Sequence, residues 1–409
     1  MENMEKGKRT AKKVNPAPGK FNYRMAQAAA FVMSKYLFKK RYIRNELRHA
    51  KGPAIVLCNH EAALDFVNVL GAANQPINFV VSNSFYSSLP FKRGMDRLKV
   101  IPKQQFQTSM HELSRMREII DSGGILGIYP AGLMCEDGIG TPIPAATYRF
   151  IQWFKADIYI ARSYGSYFVK PKWAKKVRRG RTYIDIYKLV DKEELHKLSA
   201  DEFKNMAERA LSFDAYREQD ELRLKYKGCE CIEGLEDVLY LCPNCGGEFT
   251  VKATSRDTLS CTACSYAERS DRYGMLEKVS EVGEGIRYVS DWARKIRARV
   301  MDELNSGTAL PITLPSTLHA INKKTSKFEE VGRVTFTLTE DKIILDGTAY
   351  GEPLLREVSV TPFASVPFKA GVFLEVQNGE EIWRILPDDG RQVMRTVNFI
   401  KAIYERNNK

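Results

Sequence analysis

Between residues 51 and 190 short apolar runs alternate with amphipathic segments, and this alternation constrains the fold more than any other feature of the chain. Ala54–Leu57, Ile77–Val81, Val100–Pro102, Gly124–Tyr129, Asp157–Ala161 and Thr182–Tyr187 read as strands. Ala62–Leu70, Phe106–Asp121 and Pro144–Lys155 carry apolar residues at helical spacing. Strands alternating with helices predict an α/β domain with a mixed, largely parallel sheet. In such a sheet, chemistry gathers where strands end and helices begin.

The first of these corners is Val56-Leu-Cys-Asn59-His60-Glu-Ala-Ala-Leu-Asp65. Five residues along one helix turn about 500°, which would put His60 and Asp65 on different faces. The two meet only if His60 lies in the turn before the helix and Asp65 reaches back. Asp65 then accepts from one ring nitrogen, and the other is left as a base facing a hydroxyl. A satisfied structural histidine is the alternative. Cys58 closes an apolar strand and reads as a small buried hydrophobe rather than a nucleophile. Two more strand ends carry polar or Gly-rich loops: Lys99-Val-Ile-Pro-Lys103, and Tyr129-Pro130-Ala-Gly132-Leu-Met-Cys-Glu136-Asp137-Gly138.

Taken together, residues 21–220 closely resemble the glycerophospholipid acyltransferase family, which includes the lysophosphatidic acid acyltransferases. Asn59-His60 with Asp65 fits the family's N-H-x-x-x-x-D block, Val100-Ile-Pro102-Lys103 its second block, Tyr129-Pro130-Ala131-Gly132 its F-P-E-G-T-R block, and Asp157–Ala161 with Arg162 its fourth. The resemblance implies His60 as general base, Asp65 as its orienting partner, and Asn59, Lys103, Pro130, Gly132, Arg162 and Arg93 around the substrate. It implies acyl-CoA or acyl carrier protein as donor and a lysophospholipid acceptor. The chain departs from the family where Ala131 replaces the third block's Glu, Leu133-Met-Cys135 replaces its Arg, and Gln105 stands for the second block's Arg. Lys103, Arg93, Lys92 and Arg162 are candidate substitutes for the Arg, and Glu136 or Asp137 for the Glu.

The 409 residues carry a net charge of +13, and residues 1–50 hold 13 Lys and Arg against three Glu. Residues 1–20 are polar, basic and Pro-containing, and disorder is expected. Phe21 to about Leu47 repeats apolar residues at helical spacing (Phe21, Met25, Ala28, Phe31, Val32, Tyr36, Ile43) among Lys and Arg, and reads as one or two basic amphipathic helices. Such a helix lies in a membrane interface or packs on its own domain. No apolar run reaches the roughly 18–20 residues of a membrane span. The basic N-terminus has no apolar stretch right behind it, so no secretory signal is expected. The expected location is cytoplasmic, peripheral on an anionic membrane face. A second basic cluster, Lys170–Arg181, lies beside Tyr164, Tyr167, Phe168 and Trp173. It suits lipid headgroups, single-stranded nucleic acid or a solvated loop.

Ser199-Ala-Asp-Glu202 has the capping-box form and predicts a long helix ending near Lys227. Then Cys242-x-x-Cys245, fifteen residues, and Cys261-x-x-Cys264 match a four-thiolate structural zinc site on a zinc ribbon. Cys229 and Cys231 could join a second ion. Gly285–Ser306 reads as a helix, Arg333–Leu345 and Gly371–Leu386 as hairpins, the second with an Asn378-Gly379 turn, and a helix carrying Val393, Val397, Ile400 and Tyr404 ends the chain. This order resembles a pleckstrin-homology-like module.

The expected organisation is a basic tail (1–20), an acyltransferase domain (21–227), a zinc ribbon (228–275), a helical linker (276–308) and a β-rich domain (309–409). The expected function is a peripheral O-acyltransferase acting on a lysophospholipid such as 1-acyl-glycerol-3-phosphate. The alternatives are a non-catalytic scaffold on a degenerate acyltransferase fold, and a zinc-ribbon binding protein; nucleic acid is not the expected partner.

Overall fold

The computed structural model describes residues 17–63, 65–88, 92–103, 109–322, 325, 327–378 and 381–408. Most of the expected basic tail, Gln105 and Gly379 of the expected Asn-Gly turn lie outside the described residues.

The first sheet has seven strands: β1 (Arg41–Asn45), β2 (Ala54–Cys58), β3 (Ile77–Ser82), β4 (Ile101–Lys103), β5 (Ile125–Ile128), β6 (Asp157–Tyr164) and β7 (Tyr183–Val190). Their order is β1-β7-β6-β2-β5-β3-β4, and every pairing is parallel except β6 with β7. This is the mixed, mostly parallel sheet that the alternation predicts. β2 is buried along its whole length and serves two cores by alternation. Ile55 and Leu57 join Leu126, Ile128, Ile158 and Ile160 under the helices Met110–Asp121, Ala145–Trp153 and Ala200–Leu211. Ala54, Val56 and Cys58 join Val67, Phe79 and Ile184 on the other face, together with Tyr23 and Ala30 of the N-terminal helix (Lys20–Met33).

Two expected helices are shorter than the pattern suggests. The N-terminal helix ends at Met33, a π-type turn spans Ser34–Phe38, and the residues expected to continue as helix form β1. Tertiary pairing overrides the helical spacing there. Arg41 N–H donates to Thr182 O at 3.0 Å, and Arg44 makes a bidentate bond to Asp185 at 2.8 Å through each of two nitrogens. The long polar helix after Ser199 is two helices, Ala200–Leu211 and Ala215–Leu222. Asp214 restarts the chain by accepting from the N–H groups of Tyr216 and Arg217.

A second sheet has four short antiparallel strands, β8 (Val251–Ala253), β9 (Thr258–Cys261), β10 (Ala267–Ser270) and β11 (Leu276–Lys278), in reverse order across the sheet. The third comprises β12 (Ile312–Ile321), β13 (Phe328–Leu338), β14 (Lys342–Ala349), β15 (Glu352–Ser359), β16 (Phe368–Lys369), β17 (Phe373–Asn378) and β18 (Glu381–Pro387). It is antiparallel throughout, in the order β15-β14-β13-β12-β18-β17-β16, with the helix Gln392–Asn407 packed on it. Both expected hairpins are present.

One apolar core serves all of these later elements. It joins Tyr167, Phe168 and Tyr216 of the first domain to Val251 and Leu259 of the four-stranded sheet, and to Phe336, Leu374 and Phe399 at the C-terminal end. The helix Val289–Ser306 runs through it, burying Trp292, Ile296, Val300 and Leu304.

Candidate active site and metal centre

β2 ends at Cys58, and the chain turns through Asn59 and His60 before the helix Asp65–Leu70. Asn59 fixes the turn. Its side-chain oxygen accepts from Ser163 N–H at 2.7 Å, and its amide donates to Ser163 O at 2.9 Å and to Glu61 Oε1 at 3.1 Å. The Asn59 side chain is thus pinned to β6 and holds the loop rather than facing outward. Asp65 is fully buried at the helix start, and its Oδ2 accepts from the N–H groups of Glu61 (2.7 Å) and Ala62 (2.8 Å). The same oxygen lies 3.3 Å from His60 Nδ1. With Nδ1 protonated toward Asp65, Nε2 keeps its lone pair. Nε2 has no hydrogen-bond partner among the described residues, and the His60 side chain is 19% exposed. The Tyr129 ring packs against the imidazole, centroids 4.5 Å apart.

The other expected site residues divide by position. Tyr129-Pro130-Ala131-Gly132 follows β5, the immediate neighbour of β2, so this loop stands beside His60; Pro130 is buried and Gly132 exposed. Lys103 ends β4, three strands from β2, or roughly 14 Å along the sheet at ordinary interstrand spacing. Burial lowers its pKa, with Glu112 opposing. Arg93 is exposed on the short helix Lys92–Arg97. Arg162, on β6, is buried and pairs with Glu218, with Glu61 Oε1 at 3.9 Å. Its guanidinium therefore serves an internal carboxylate network. Cys58 is 2% exposed, and burial followed by the Asp65 charge pushes its thiol far up, as suits a hydrophobe.

Glu136 and Asp137 are not stand-ins for the missing Glu of the third block. Both are 2% exposed, and their carboxylates pair with Lys401 and Arg297. The basic cluster after Lys170 also turns partly inward. Lys172 lies 3.3 Å over the Phe368 ring, and burial pushes its ammonium down to about 8. Trp173 Nε1 donates to Tyr167 Oη at 3.0 Å, and Arg178 donates to Cys231 O.

Pattern reading missed Glu61. It is fully buried one residue after His60, accepting from Tyr167 N–H at 3.0 Å. Burial, then the charges of Glu218 and Asp65, drives its pKa well up, against the pull of Arg162. A charged residue three positions after an apolar strand, in the turn before a helix, was the available signal.

The four cysteines Cys242, Cys245, Cys261 and Cys264 place their sulfurs within 4.8 Å of one another. Cys242–Cys264 and Cys245–Cys261 Sγ separations are 3.7 and 3.8 Å. A tetrahedron with Zn–S bonds of ~2.3 Å has edges of about 3.8 Å, so the thiols fit a closed four-coordinate ion. Each knuckle closes with a left-handed residue: Gly246 (φ 71°) donates to Cys242 O at 3.0 Å and Ser265 (φ 61°) to Cys261 O at 3.1 Å. Cys229 and Cys231 stand outside this group, and among the described residues no other cluster of three or more potential ligands forms.

Residues 39–169 match the family model described as Acyltransferase. No curated protein matches the chain significantly. Among solved structures the chain is similar to the 1-acyl-sn-glycerophosphate (LPA) acyltransferase PlsC from Thermotoga maritima, at 16% identity and TM-score 0.40, covering 50% of this chain and 79% of that one. It is also similar to the Ran binding domain of the nuclear complex component Nup2 from Ashbya gossypii, at 16% identity and TM-score 0.18, covering 22% of this chain and 94% of that one. At these scores neither structural likeness bears on function; the weight rests on the family match and on the side chains around His60.

Proposed function

Taking residues 39–169 as an acyltransferase-family domain, we propose that this chain is a peripheral membrane enzyme that moves a fatty acyl group from a thioester, acyl-CoA or acyl carrier protein, to the hydroxyl of a lysophospholipid-type acceptor. The observation that carries the reading is His60 Nδ1 lying 3.3 Å from the buried Asp65 carboxylate while the ring stays partly exposed. Nε2 takes the proton from the acceptor hydroxyl, and the oxygen attacks the thioester carbonyl. The tetrahedral intermediate expels the thiolate, which recovers the proton from the imidazolium. Asp65 holds the ring and stabilises its positive charge. No acyl-enzyme is needed, in keeping with the buried Cys58.

Acceptor recognition differs from the family's pattern because Ala131 and Leu133-Met-Cys135 replace its Glu and Arg. Lys103 and Arg93 are the cations we assign to an acceptor phosphate. These replacements also favour the alternative of a non-catalytic scaffold, which predicts no turnover with any acceptor.

Membrane contact is assigned to the N-terminal helix. It packs inward through Tyr23 and Ala30, while Phe21, Met25, Phe31 and Val32 are 52–76% exposed among basic residues. No helix among the described residues is long and apolar enough to cross a bilayer. A cytoplasmic membrane face, a zinc ion as the structural metal of the four-cysteine site, domain limits near 227, 275 and 308, and a pleckstrin-homology-like identity for residues 309–409 belong to the same proposal.

The test is a panel of lyso-acceptors with labelled acyl thioester and mass spectrometry of the product lipid, run on the purified chain and on His60→Ala. Transfer by the native chain and none by the variant is expected; turnover retained by His60→Ala would remove the mechanism.

A further inference from the structure

The loop Tyr129–Gly138 is tied to His60 on one side and to the C-terminal third of the chain on the other. The Tyr129 ring packs on the imidazole, Cys135 N–H donates to His60 O at 3.4 Å, and the Cys135 thiol contacts Glu61 O at 3.8 Å. The next two side chains are paired with the later part of the chain. Glu136 and Asp137 bury their carboxylates, which a protein interior tolerates only with charge partners. Neither partner comes from the acyltransferase-matching segment. Lys401, on the C-terminal helix, pairs with Glu136; Arg297, on the helix Val289–Ser306, pairs with Asp137 and approaches Glu136 Oε1 at 3.9 Å. Burial alone would raise the Glu136 pKa, yet Lys401, Lys172 and Arg297 hold it at about 2, so the carboxylate is charged whenever the chain is folded near neutrality. Glu136 O also accepts from Tyr167 Oη at 3.1 Å, and Tyr167 N–H donates to Glu61, which closes a ring of contacts behind His60.

We propose that Lys401 and Arg297 are positioning residues: through Glu136 and Asp137 the two C-terminal helices brace the loop on which His60 is seated, so that transfer requires those helices to be docked. The effect on rate rests on the function proposed above; the mechanical coupling does not. Removing one charge of such a pair leaves the other buried with weaker compensation (for Glu136, only Lys172 and the 3.9 Å approach of Arg297), whereas removing both can be nearly neutral. That asymmetry separates bracing from bulk packing.

The experiment is hydrogen-exchange mass spectrometry on the full chain, with initial rates measured in parallel. The variants are Lys401→Met, Glu136→Gln/Lys401→Met and Arg297→Gln, with Arg333→Gln as a control that breaks the exposed Arg333–Asp388 pair. In Lys401→Met, exchange should rise about tenfold or more in peptides covering 57–66 and 129–138 while β12–β14 stay protected. Its kcat should fall about tenfold with the KM for the acyl thioester changed less than about twofold. The double variant should recover native exchange and most of the rate, and Arg333→Gln should match the native chain. Native exchange at 129–138 in Lys401→Met, or a double variant no better than the single, overturns the proposal. Should Lys401→Met not fold, Arg297→Gln reads the same coupling, and native exchange at 129–138 in that variant overturns it equally. If His60→Ala keeps its turnover while Lys401→Met loosens the loop, the acyl-transfer reading falls and the brace stands.

Discussion

Asp65 holds His60 with the oxygen that also caps its own turn: Oδ2 lies 3.3 Å from Nδ1 and accepts two backbone N–H groups, from Glu61 and Ala62. Orientation of the ring and shape of the turn are therefore one property. Asp65→Asn keeps the volume but weakens both, and by the logic of a base–carboxylate pair it should lower turnover about 10³–10⁴-fold. Asp65→Ala should in addition lose about 1–3 kcal/mol of stability, because two buried N–H groups lose their acceptor. Initial rates and thermal melts distinguish the two variants, and an Asn variant of native rate would separate Asp65 from the chemistry.

Glu218 gives the chain a pH dependence of definite sign. Burial pushes its carboxyl up to about 7 in spite of the Arg162 guanidinium beside it. A carboxyl with a raised folded-state pKa contributes stability that is full below its unfolded value, near 4.5, and is lost as pH rises through about 7. The melting temperature should therefore decline between pH 5 and pH 8, and Glu218→Gln should flatten that decline. Equal slopes for the two proteins would show that another group sets the trend.

The four-thiolate centre should hold one zinc ion per chain. Its loss should reach beyond the ribbon, because Trp292 packs edge-on to Tyr266 and donates to Leu241 O at 2.8 Å. Chelation, or Cys261→Ser, is expected to lower the melting temperature by about 10 °C or more and to shift tryptophan emission to the red. Metal analysis showing no zinc in a native, stable chain would refute this.

The N-terminal helix separates two kinds of apolar residue. Phe21, Met25 and Val32 are exposed, so replacing all three by Ser should leave the melting temperature within about 2 °C of native while cutting pelleting with anionic liposomes at least about tenfold. Tyr23 instead donates from Oη to Leu70 O at 3.0 Å and accepts from Ile77 N–H, so Tyr23→Ala should destabilise the fold by about 3 kcal/mol. Unchanged liposome binding by the triple variant would move membrane contact elsewhere.

Gly138 ends the braced loop with φ at 86°, and a Cβ there would come within 2.7 Å of the Tyr216 ring. Gly138→Ala combines left-handed strain with overlap, and a loss of about 2–4 kcal/mol is expected in denaturant unfolding.

Local features were the ones open to reading from the chain itself. The apolar run ending at Asn59-His60, the strand–helix alternation and the paired Cys-x-x-Cys knuckles each depend on residues close in sequence, and each appears in the fold. Strand β1 was hidden because Arg41–Asn45 is short and polar, and its partner segment lies near residue 183. The break at Ser212–Asp214 was hidden because a single Asp recap sits inside an otherwise helical pattern. The orientation of Glu136 and Asp137 was hidden for a stronger reason: their cations lie 265 and 160 residues further along the chain. Glu61 shows the limit from the other side, since its partner Tyr167, 106 residues away, reaches it only once β2 and β6 are side by side.

A single apolar body passes from Phe168 and Tyr216 through Val251 and Trp292 to Phe336 and Phe399. Severing the peptide at any of the three expected junctions would strip water-averse surface bare on both pieces. Neither half is then a portable cassette that could be recombined with a foreign neighbour.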